Sequence, residues 1–160
     1  MSRKVIITGV VIVALIAIGI FMFSKPNASA YTTLGSYNEE IEIYKGGSCG
    51  CCGVYVNYFM NKGNKNVQVK NAQDIGDIKE KYGIPAAMES CHTTIIGDYF
   101  IEGHMPLEAV EKLLTEKPDI AGIAMPGMPE GSPGMVGSKK GDFVIYAVNR
   151  DGSYQEWMRI

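Results

Sequence analysis

The chain has 160 residues, of which 15 are basic, 17 acidic and 46% hydrophobic. That length suffices for one domain with an appendage. A net charge of −2 provides no basic surface for nucleic acid, whose phosphates demand one.

The chain opens with Arg3 and Lys4, then runs from Val5 to Phe23 without a charged residue. Two readings of residues 1–30 stay open. The apolar run is long enough to cross a bilayer as an anchoring helix, which takes about 20 residues. Equally, Ala28-Ser29-Ala30 has the small-residue pattern of a signal-peptide cleavage site after a basic start. Either way the rest of the chain is expected to be exported, on the periplasmic or extracellular face, anchored or released. Without residues 1–30, 12 basic and 17 acidic residues remain, a formal charge of −5.

Residues 31–39 are polar and read as a linker, so the domain is expected at 40–160. Glu40 to Tyr44 alternates as a half-buried strand does. Next comes Gly46-Gly47-Ser48-Cys49-Gly50-Cys51-Cys52-Gly53, a glycine-rich turn that feeds a helix over Val54–Asn61, stopped by Gly63. The turn therefore presents its thiols at a helix N-terminus, where free N–H groups and the dipole favour thiolate. Val67-Gln68-Val69 reads as a strand, and Asp74 as the cap of a helix ended by Gly83.

His92–Ile96 and Tyr99–Glu102 are strand-like runs joined by Gly97-Asp98, a hairpin signal. That turn sets Thr93 opposite Glu102 and, two positions on, Cys91 opposite His104, with opposed Cβ atoms about 5 Å apart. By alternation His92 should face away from Cys91. Pro106 opens a helix carrying Leu107, Val110, Leu113 and Leu114 on one face, and Pro118 ends it. Residues 122–141 are rich in glycine, proline and methionine and read as a long loop. Phe143–Val148 and Tyr154–Met158 flank Asn149-Arg150-Asp151-Gly152, a second hairpin. The fold class is α/β: a thioredoxin-like β-α-β-α-β-β-α core with a Met/Pro/Gly-rich loop and a C-terminal β-hairpin.

Four cysteines in an exported domain normally imply structural disulfides, but adjacent Cys51 and Cys52 do not bridge each other easily. Cys49 and Cys52 have the C-x-x-C spacing of a redox pair, so a thiol-disulfide oxidoreductase is one reading. The surplus Cys51, with Cys91 and His104 converging nearby, favours a metal site over a simple redox pair. Thiolate, imidazole and thioether are soft donors, which select Cu(I) and, without the thioethers, also suit Zn(II). The candidate ligands are Cys49, Cys51, Cys52, Cys91 and His104, with Met125 and Met128 of the loop. No catalysis is required: a metal ion and a copper-transfer or redox partner protein would suffice.

The motifs C-G-C-C-G at Cys49–Gly53, S-C-H-T at Ser90–Thr93, E-G-H-x-P at Glu102–Pro106 and P-G-M-P-x-G-S-P-G-M at Pro126–Met135 resemble the bacterial domain-of-unknown-function family four-eleven. The resemblance spans roughly Glu40 to Trp157. It implies an exported, copper-associated metal-binding protein with a thioredoxin-like fold. It also implies that Cys49, Cys52, Cys91 and His104 lie near the metal. In thioredoxin-like folds the turn before the third strand usually carries a proline; Cys91-His92 stands there instead, which lowers the oxidoreductase reading.

Overall fold

The computed structural model describes residues 31–160; the anchor or signal reading of 1–30 lies outside them. Among the described residues no helix is long and apolar enough to cross a membrane. The elements are α1 (Thr32–Gly35), β1 (Ile41–Gly46), α2 (Gly50–Lys62), β2 (Val67–Ala72), α3 (Gly76–Lys81), a 3-10 turn (Ala86–Met88), β3 (His92–Ile96), β4 (Tyr99–Glu102), α4 (Leu107–Glu116), β5 (Gly122–Ala124), β6 (Val144–Val148) and β7 (Tyr154–Arg159).

The fold is mixed α/β around one seven-stranded sheet, ordered β2-β1-β3-β4-β5-β6-β7. β1–β2 and β4–β5 are parallel; the other neighbours are antiparallel. Alternation divides the apolar residues between two faces. Ile41, Ile43, Ile96 and Ile101 pack with Tyr55 and Phe59 of α2 and with Leu107, Val110 and Leu113 of α4. On the other face Ile95 and Phe100 pack with Ile84 and Met88, near α3 and the 3-10 turn. Both hairpins and the three longer predicted helices are present.

Two departures from the sequence reading have physical causes. The linker expected at 31–39 is docked: Leu34 is fully buried, and the Glu111 carboxylate accepts the N–H groups of Thr33 and Leu34, both at 2.8 Å. A single leucine amid polar residues has no periodicity to announce it. The loop expected from residue 122 begins instead as β5. Three wholly buried residues are too few to show alternation, and Gly122 lies so close to Phe100 that a Cβ would strike its ring at 2.6 Å.

Candidate metal centre

Three arms of the chain meet where β1 and β4 end and β3 begins. The first is the start of α2, one turn earlier than expected, so that Cys51 and Cys52 lie inside the helix. Cys49 is its N-cap, and Cys49 Sγ accepts the Cys52 N–H at 3.4 Å. Cys49 and Cys52 form a disulfide, while Cys51 and Cys91 are free. Cys51 Sγ lies 3.5 Å from Cys49 Sγ.

The second arm is the base of the β3–β4 hairpin. Its pairing runs from Ile96↔Tyr99 to Thr93↔Glu102, the register expected from the Gly97-Asp98 turn. Cys91 and His104 lie beyond its end, and their Sγ and Nε2 atoms are 3.0 Å apart. Gly103 turns the chain between Glu102 and His104 with φ +88°, and a Cβ there would meet Met125 O at 2.6 Å. Only glycine fits on both counts.

The third arm is the loop over residues 126–135. His104 Nδ1 is 2.6 Å from Pro133 O. A carbonyl only accepts, so Nδ1 carries the ring proton and Nε2 turns a lone pair toward Cys91. Gly134 (φ +84°) lays its backbone on the first turn of α2: a Cβ would sit 2.8 Å from Tyr55 N and 3.1 Å from Cys51 O.

The ligand atoms of Cys49, Cys51, Cys52 and Cys91 all lie within 4.8 Å of one another, as do those of Cys52, Cys91, His92 and His104. His92 corrects the sequence reading. Its Nδ1 is 3.4 Å from Cys91 Sγ, because Cys91 sits in the bend before β3, where strand alternation does not apply. The adjacency Cys91-His92 was the available signal. The His92 ring packs 4.3 Å from that of Tyr55 and 4.8 Å from that of His104. Its Nε2 is buried without a hydrogen-bond partner among the described residues.

The methionines are placed differently. Met125 is buried in the hydrophobic core, the ordinary use of a methionine, and Met128 is exposed.

Burial, reinforced by neighbouring Cys51, pushes the Cys91 thiol up to about 11. Burial, then the proximity of His104 and Lys79, holds His92 down at about 3. Burial also lowers His104, against the opposing Pro133 carbonyl. At neutral pH both imidazoles are therefore uncharged, the form that binds metals. Reduction of the Cys49–Cys52 bridge would assemble four thiols and two imidazoles with no carboxylate among them, a soft donor set that fits copper or zinc and not a hard cation.

Comparison with known proteins agrees with this chemistry. Residues 88–135 match the family described as "Protein of unknown function, DUF411". That span holds the Cys91, His104 and Pro133 arms. No curated protein matches the chain at a significant level. Two solved structures do, named "Copper resistance protein copG- Form 1" and "Copper resistance protein copG- Form 2". Each is 33% identical with a TM-score of 0.69, over 76% of this chain and 96% and 97% of theirs respectively. Over nearly the whole of those relatives, and through the motifs that form its cysteine–histidine centre, this chain belongs to the DUF411 family.

Proposed function

We propose that this protein is an extracytoplasmic Cu(I)-binding protein that serves copper handling or resistance, passing the ion to a partner protein. The observation that carries the reading is the Cys91–His104 pair. Its 3.0 Å contact leaves the imidazole lone pair turned toward a group of four sulfurs. Cys49, Cys51, Cys52, Cys91 and His104 are the ligand set we assign, with His92 as a sixth candidate donor; Met125 and Met128 are left out. When bound, the ion would supply soft Lewis-acid and one-electron chemistry. The chain's own residues hold it, and the Pro133 carbonyl orients the imidazole.

The strand order β2-β1-β3-β4, with α2 between β1 and β2 and α3 between β2 and β3, supports a thioredoxin-like core. β5–β7 then extend that core by three strands. Export is supported by the basic start and the long apolar run of residues 1–30. The Cys49–Cys52 bridge gates the site in this reading, because a disulfide removes two thiolates from the donor set. Elemental analysis tests this: the reduced chain is expected to retain copper, and the oxidised chain to retain none. Equal copper in both states contradicts the gating.

The same bridge favours a second reading, a thiol-disulfide oxidoreductase. Reduction of a test disulfide that depends on Cys49 and is unaffected by copper would select it.

A further inference from the structure

The β3–β4 ladder ends at Thr93 and Glu102, and one further backbone bond, from Gly103 N–H to His92 O at 3.0 Å, ties the residues beside Cys91 and His104 without reaching either side chain. Glu102 does what the ladder cannot. Its side chain is fully buried. Oε1 accepts the Ser90 N–H and Oε2 the Thr93 hydroxyl, each at 2.6 Å. Its counter-charge is Lys79 Nζ of α3, almost equally buried. The Glu102 main-chain carbonyl accepts the Met125 N–H at 3.1 Å, at the start of the loop whose Pro133 fixes His104.

The neighbour of Cys91, the strand leading into His104 and the root of the loop thus converge on one residue. Stability is a poor explanation for the pair. Desolvation of two buried charges commonly offsets their attraction, and apolar replacements are often neutral.

We propose that Glu102, with Lys79 as its counter-ion, is the positioning residue of the centre: it holds Cys91 Sγ and His104 Nε2 at ligand spacing. The proposal rests on the metal-binding reading for its affinity readout alone. Its second readout is the His104 tautomer, followed by nitrogen-15 NMR on the reduced, metal-free chain.

The test compares two double variants, E102L/K79M, which removes every polar contact of the two side chains, and E102Q/K79M, which keeps an acceptor for Ser90 without burying a lone charge. The first is expected to fold, to lose the Nδ1–H tautomer of His104 and to bind Cu(I) roughly 10- to 100-fold more weakly in chelator competition. The second is expected to regain the tautomer and to come within about 3-fold of native affinity, most of the range of such an orienting contact being restored.

Native tautomer and affinity in folded E102L/K79M overturn the proposal. So does a folded E102Q/K79M as defective as the leucine variant. Should E102L/K79M not fold, Thr93→Val removes one anchor alone, and an unchanged His104 spectrum there also overturns it. Should the native chain bind no copper, the function proposed above fails, and the tautomer readout still decides this inference.

Discussion

Pro133 and His104 are 29 positions apart, yet the carbonyl of one fixes the ring of the other at 2.6 Å. The methionine-containing loop therefore helps build the centre through its backbone, whatever its methionines do. Gly134, beside that carbonyl, is the position where the loop touches α2. Replacing Gly134 by alanine is expected to cost about 1–3 kcal/mol, since it combines a positive φ with a clash against Tyr55 N and Cys51 O. Denaturant unfolding of the reduced protein measures the loss, and weaker metal retention should accompany it. An alanine variant as stable as the parent would detach the loop from α2.

Leu34→Ala distinguishes a docked segment from a linker. Leu34 is fully buried in the main core, and truncation of such a leucine costs about 2–5 kcal/mol. A free linker would lose nothing. Thermal unfolding of the variant gives the answer.

The two imidazoles set a pH dependence. His92 is held down at about 3 and His104 below its ordinary value, both chiefly by burial. Around His92 stand Tyr55, Cys91 and His104, with the charged Lys79 also in reach. An unfolded histidine titrates near 6.5, so below that pH the unfolded chain binds protons that the folded chain refuses. Stability of the reduced, metal-free protein is thus full above about pH 6.5 and falls progressively toward pH 3. His92→Phe should flatten this slope between pH 4 and 6 in urea titrations at stepped pH; an unchanged slope would assign the dependence elsewhere.

Cys91 provides the complementary experiment. With its thiol pushed up to about 11, it is protonated at neutral pH, and metal binding must displace that proton. Metal affinity is expected to rise with pH through the neutral range, and to rise less steeply after Cys91→Ser. Proton release on binding, followed with an indicator dye in weak buffer, measures the same quantity.

Much of this arrangement was legible in the sequence where two residues define a turn. Gly97-Asp98 determines the hairpin register and, by counting outward, the approach of Cys91 to His104. The C-terminal hairpin was legible from its polar turn, Asn149-Arg150-Asp151-Gly152. What was hidden lay outside regular elements or in elements too short for a period. His92 was assigned to the wrong side because alternation was extended one residue past the strand. β5 has only three residues, and Leu34 is a lone apolar contact. Lys79 and Glu102 look like ordinary surface charges in sequence, because only tertiary packing brings them together in the interior. The loop's methionines drew attention to their sulfur, whereas the structure uses the Pro133 carbonyl and the close backbone approach at Gly134.

The central claim is that sulfur and imidazole from separate arms act as one soft-metal centre. Its most direct measurement is competition of the reduced, full-length chain against a Cu(I)-specific chelator, for the parent, Cys91→Ser and His104→Ala. The account predicts tight binding by the parent and a loss on the order of 10-fold or more in each variant, the usual scale for removing a ligand or the group that orients one. Parent-like Cu(I) binding in both variants, or none in the reduced parent, would contradict it.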